Sequence, residues 1–236
     1  MKKEGLNLTG GIKKLREDLA KMPTFRQKWD HIWTYYRYWL LVLAVAIMGI
    51  SILCTSFINV NTDMLLAGIT VNVNISEEGN TYLTDGLHDQ LTKGSKWEDI
   101  ALQPMELHDL LDSEDVEEDY YALMTILGMG AGKILDYIIM DQDAMELLLP
   151  NDPFMDLRLV LTQAELDQLD NRVVYMEKDN VRTPIAVEVS DTAFIKDNAT
   201  ADGGKVFLGF TINTTRKDAC RILWDHLNAW QSAPAQ

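Results

Sequence analysis

The chain has 236 residues, room for one ordinary domain and some additional segments. Its formal charge of −15 conceals a division: residues 1–38 hold nine Lys/Arg against four Asp/Glu, net +5, and the remainder holds 12 against 32, net −20. Such an asymmetry points to two electrical environments, and a part at −20 repels phosphate backbones, which excludes nucleic acid as its partner.

The first 38 residues read as a basic cytoplasmic tail. After Thr9-Gly10-Gly11, the residues Ile12, Leu15, Leu19 and Met22 recur at helical spacing up to Pro23. Thr24 is placed to cap a second helix from Phe25. The basic residues suit either anionic lipid headgroups or a plain topology signal.

From Tyr38 to Thr62 no residue is charged, and residues 39–58, WLLVLAVAIMGISILCTSFI, are apolar on every side. Twenty helical residues rise about 30 Å, the hydrocarbon thickness of a bilayer. This predicts a transmembrane helix over 39–58, with the lipid bilayer as its partner. Lys21, Arg26, Lys28 and Arg37 lie close upstream, whereas the first basic residue downstream is Lys93. The positive-inside rule then places the N-terminus in the cytoplasm and the C-terminal domain outside the cell membrane. Trp29, Trp33, Tyr35, Tyr36, Tyr38 and Trp39 crowd the inner boundary, where amphipathic rings sit. The apolar run is longer than a signal-peptide core and no small-x-small cleavage site follows it, so an uncleaved signal anchor fits best.

Residues 63–236 read as an acidic extracytoplasmic domain. Ile69, Val71, Val73 and Ile75 alternate with polar residues, the mark of a half-buried strand. Glu77-Glu78-Gly79-Asn80 reads as a turn, and Thr81–Lys93 as a helix with Leu83, Leu87 and Leu91 on one face, stopped at Gly94-Ser95. A short strand is expected near Ile100–Glu106. The acidic run Asp112–Asp119 suits the solvated N-terminus of a helix. It has no calcium-loop spacing.

Residues 135–140 form an apolar strand ending at Asp141, followed by a helix from Asp143 that Pro150 stops. Thr162–Leu169 is a helix opened by a capping box, Thr162 with Glu165. Val173–Met176, Ile185–Val189 and Val206–Ile212 read as strands, and Arg216–Trp230 as a last helix burying Ala219, Ile222, Leu223, Leu227 and Trp230. Alternation of strands and helices at these lengths predicts an α/β domain with a mixed sheet.

Motifs that carry chemistry are scarce. Gly128-Met-Gly130-Ala-Gly132-Lys133 lacks the first Gly and the final Ser/Thr of a phosphate loop, and small residues for close helix packing explain it better. His31, His88, His108 and His226 lack zinc-site spacing, no GxSxG elbow occurs, and Cys54 and Cys220 are expected to pack unpaired as small hydrophobes. The sequence calls for no metal or cofactor, and nothing in it argues for an enzyme. Asp141 and Asp191 each follow a predicted strand, where ligands gather in α/β sheets. With Asp143 they are the candidate ligand-binding residues, for a cationic or polyhydroxylated solute. The ordinary role of Asp at such a place is to cap the next helix.

The run Ala131-Gly132-Lys133-Ile-Leu-Asp136-Tyr-Ile-Ile-Met-Asp141 resembles the helix, small-residue turn and strand of bacterial extracellular solute-binding proteins. PIAVEVSDTAFIKD and VFLGFTINTTRKDACRILWDHL resemble their closing strand–helix segments. The likeness covers roughly residues 120–230 and implies part of a periplasmic-binding-protein fold. The chain would be a membrane-anchored, truncated relative of the Firmicutes type. Solute-binding proteins hold their ligand between two lobes in a chain about twice as long. Two functions follow: an extracytoplasmic binding or sensing domain for a small solute, or a non-catalytic membrane-tethered module that has lost the pocket and docks a membrane-protein partner.

Overall fold

The computed structural model describes residues 41–52, 63–95, 98–108, 116–178, 180–201 and 204–231, together with residues 20, 24, 26, 33, 37 and 38. The chain divides into two compact units at residues 61/62. In the first unit residues 41–52 are helical, with Leu41, Leu43, Ile47, Ile50 and Ile52 exposed. Among the described residues no helix is long and apolar enough to cross a membrane. Positions 39, 40 and 53–58 of the expected span lie outside the described residues. So do Cys54 and, apart from the helical residues 20, 26, 33, 37 and 38, the tail helices proposed over 12–22 and from 25.

The second unit opens with β1 (Asp63–Val71) and β2 (Val73–Ile75). Three helical pieces follow without a break, α1 (Glu77–Thr81), a π turn (Tyr82–Gly86) and α2 (Leu87–Leu91). Next come β3 (Glu98–Met105), α3 (Val116–Ala131), β4 (Tyr137–Asp141), α4 (Gln142–Leu148) and α5 (Gln163–Leu169). The hairpin β5 (Val173–Lys178) and β6 (Val181–Glu188) precedes α6 (Ala193–Asn198), β7 (Ala199–Ala201), β8 (Val206–Phe210) and α7 (Lys217–Ala229).

Six strands form one mixed sheet in the order β3-β1-β4-β8-β6-β5. β1 runs parallel to β3 and β4, whereas β8 is antiparallel to β4 and β6. The carboxyl ends of β1, β3, β4 and β6 therefore share one edge of the sheet with the start of β8. The sheet of an α/β class domain is thus present, of mixed direction as the sequence predicts.

Period-2 alternation distributes each strand between two cores. Tyr137 and Ile139 of β4 join Leu66, Leu208, Phe210, Leu223 and Trp224 in one cluster. Ile138 and Met140 join Ile69, Val71, Leu123, Ile126 and Met145 in the other. Helices α2, α5, α6 and α7 contribute to the first cluster, α3 and α4 to the second, giving three layers. Each large apolar side chain taken fully out of water contributes roughly 1.5–3 kcal/mol.

Covering both faces corrects the half-buried reading of β1. Its polar-looking alternates are buried as well: Thr70 is 3% exposed, and Gly68 lies beneath the Tyr137 ring, where an added Cβ would meet ring carbons at 2.1 Å. Only glycine leaves room for that ring.

Three further expectations change. Glu77–Asn80 is helix instead of turn, because the Ser76 hydroxyl accepts from the Gly79 amide and caps α1. Asp119, expected in a solvated run, is buried and accepts from the His108 amide. Pro150 does not stop the helix outright but sits inside a 3-10 turn, Leu149–Asn151, whose first residues need no amide donor. The capping box is as expected: the Thr162 side chain accepts from the Glu165 amide, and Glu165 accepts from the Thr162 amide at 2.7 Å.

Candidate functional site: the carboxyl edge of the sheet

The node of this edge is Asn72, in the one-residue break between β1 and β2. Its φ of 55° is left-handed, a conformation that Asn tolerates better than most residues. Its side-chain amide imitates a strand residue. Nδ2 donates to the Leu107 carbonyl at 2.6 Å and Oδ1 accepts from the Leu107 amide at 2.8 Å. Nδ2 also donates to Oδ1 of Asp141 at 3.3 Å, and the Asn72 amide donates to the Met105 carbonyl at 3.1 Å. One residue thus joins the ends of β1, β3 and β4.

Asp141 is buried at the end of β4, and its Oδ1 accepts from the Ala144 amide at 2.9 Å, capping α4. The capping role expected of it is the one the geometry gives. Asp143, in the first turn of the same helix, is exposed, its charge near the positive end of the helix dipole.

Asp191 comes to the same edge from the other side of β8. Asp141 pairs with Val206 in the sheet, and the Val189 amide donates to the Val206 carbonyl at 2.8 Å. Ser190 Oγ accepts from the Val206 amide at 2.8 Å. The next residue, Asp191, points outward and pairs with Lys196 Nζ at 2.9 Å, its side chain 74% exposed. The hydrogen bond from Lys196 holds its carboxyl below the ordinary range. It does not cap α6; Thr192 does, accepting from the Ile195 amide. Glu188 pairs with Lys205 at 3.2 Å on the same rim.

The edge therefore gathers the carboxylates that the sequence singles out but does not aim them at one point. Asp141 turns inward to two protein donors, and Asp191 turns outward to a lysine. Among the described residues no three of His, Cys, Asp and Glu are grouped to hold a metal ion.

Sequence reasoning passes over a second polar cluster, at the opposite end of β4. Asp136 is fully buried. Its Oδ2 accepts from the Ala67 amide at 2.8 Å and from Arg216 Nη1 at 2.8 Å, and its Oδ1 accepts from Thr214 Oγ1 at 2.5 Å. Beside it the Tyr137 hydroxyl is buried with no hydrogen-bond partner. Burial, then the charge of Asp136, pushes the Tyr137 phenol upward. The same two causes raise the Cys220 thiol to about 12, so it is inert at neutral pH. The signal available in sequence was an Asp directly before an all-apolar strand, a place where a charge must find partners.

A mixed α/β domain built on one six-stranded sheet is the class that this fold defines. The chain matches no family model, no curated protein and no solved structure.

Proposed function

We propose that the chain tethers its acidic α/β domain to the outer face of a membrane and that this domain docks a protein partner without catalysis. The tether rests on residues 39–58, of which 41–52 are helical with apolar side chains exposed. The docking role rests on one observation, the apolar outward face of α3. Val116, Tyr120, Tyr121 and Met124 are 49%, 53%, 74% and 45% exposed there. Other exposed apolar residues of the domain, such as Leu159 and Ile212, lie on other elements, whereas these four share one helix, and exposed aromatics and Met grouped in this way mark protein contacts. The decisive experiment replaces Tyr120 and Tyr121 with Ala in the full chain. Loss of a defined co-purifying membrane partner, at unchanged melting temperature, supports docking; an unchanged complex refutes it.

A solute-binding reading is favoured by the convergence of Asp141 and Asp191 on one sheet edge, the usual ligand position in such folds. The resemblance to solute-binding proteins rests on segment order alone. On this reading some sugar, amino acid, peptide or metal raises the melting temperature, and Asp191→Asn abolishes the rise.

A further inference from the structure

The glycines of α3 lack an explanation inside the domain. Close packing within the fold was the expectation for Gly128–Gly132, yet an added Cβ at Gly128 or Gly130 would meet nothing within 4 Å. Mid-helix glycine is unfavourable relative to alanine; Gly130 is half-buried on the domain side, but Gly128 is exposed on the outward face and needs a cause outside the fold.

At 3.6 residues per turn the exposed face of α3 centres on Met124, with Glu117, Tyr120, Tyr121, Gly128 and Ala131 around it; all are exposed. That face is self-complementary under a two-fold axis through Met124. Laid antiparallel on a second copy, each Tyr120 falls opposite Gly128 of the other copy, a ring over a bare backbone. Met124 meets Met124.

Charge selects the antiparallel sense. The helix carries acids in its first turn, Glu117 and Glu118, and Lys133 lies exposed just beyond its last turn. Antiparallel packing brings each Lys133 to the acidic first turn of the other copy and sets the helix dipoles side by side in opposite directions, the favourable arrangement. Parallel packing would set acid against acid.

We propose that the partner of α3 is a second copy of this chain, packed as a symmetric antiparallel helix pair about Met124. The inference rests on the docking reading and names its partner. An isologous contact of this kind closes on itself as a dimer.

The test uses the full chain in its own membrane with Cys54→Ser; Cys220 is buried. Met124→Cys, on the two-fold axis, is expected to give a disulfide-linked dimer on mild oxidation, since symmetric positions there approach disulfide range. Tyr175→Cys, on the edge strand β5, is expected to give none. Adding Gly128→Leu fills the ring's seat without disturbing the fold and should lower the dimerisation constant roughly ten-fold or more. Glu117→Lys and Lys133→Glu should each weaken the dimer, and together restore it. Three results overturn the proposal: no linked dimer from Met124→Cys, an equal yield from Tyr175→Cys, or a Met124→Cys dimer indifferent to Gly128→Leu. A Met124→Cys adduct with a different protein overturns the homodimer but leaves the docking reading standing; no adduct of any kind removes both.

Discussion

The two ends of β4 carry the same residue in opposite service. Asp136, at the amino end, is sealed from water and holds an amide of β1, a hydroxyl and a guanidinium. Asp141, five residues on, is nearly as buried, yet holds the backbone amide of its own next helix and the side-chain amide of Asn72. The first is a charge that can exist there only because the fold surrounds it with donors. The second is a helix cap with one added tie. Burial alone does not distinguish them; what distinguishes them is how much of the fold each carboxylate satisfies and what its loss leaves behind.

The largest effect expected is from Asp136→Ala. It strands the Ala67 amide and leaves Arg216 without its partner, so unfolding should become easier by about 3–5 kcal/mol. Chemical denaturation of the variant reads this directly, and a loss no larger than that of Asp141→Ala would erase the contrast between the two ends.

Asp141→Ala should cost about 1–2 kcal/mol, the range of a lost N-cap. Asn72→Ala, measured alongside it, tells whether the 3.3 Å amide contact adds to the cap. If the double variant costs no more than the larger single one, the two residues act as a unit.

A smaller effect is expected away from β4, where Arg221 bridges α7 to α5 through Glu165 at 2.6 Å. The Arg221 guanidinium, with the Thr162 hydroxyl and amide, pushes the Glu165 carboxyl down to about 2. Because the folded value lies below the unfolded one, this stabilisation is fully present above about pH 5 and is lost as pH falls toward 2. Both groups are partly exposed, so Arg221→Ala should cost only about 1 kcal/mol, and less than that at about pH 2.5. A cost that grew on acidification would contradict the sign.

Smallest of all, Asp191→Asn should leave the melting temperature unchanged, since its ion pair with Lys196 stands in solvent. A clear loss of stability would mean that the rim carries more of the fold than its exposure suggests.

What the sequence reveals divides along similar lines. Local chemistry was legible: the Thr162–Glu165 box, the apolar run ending at Asp141, and the amphipathic residues of α7 each report their own element. Tertiary burial was not. Thr70 and Gly68 look like the wet side of a strand, and only a second layer of helices with the Tyr137 ring makes them interior. Helix α6 was foreseen only as the helix Asp191 would cap, without bounds, because six residues carry less than two turns of periodicity, and its true cap, Thr192, was overshadowed by Asp191 beside it. Asn72 has no local signature at all; its role exists only once Leu107 and Asp141 have been brought to it by the sheet. The candidate site was legible as a place, the carboxyl edge, but not as an orientation, because sequence does not say which way a carboxylate turns.

On the reading proposed above, the outer domain works through the face of α3 and not through the edge that gathers Asp141 and Asp191. A photoreactive amino acid placed at Tyr121 in one variant and at Asp191 in another, illuminated in intact membranes, compares the two surfaces directly. A discrete protein adduct is expected from position 121 and none from position 191. An adduct from position 191 alone would contradict that reading.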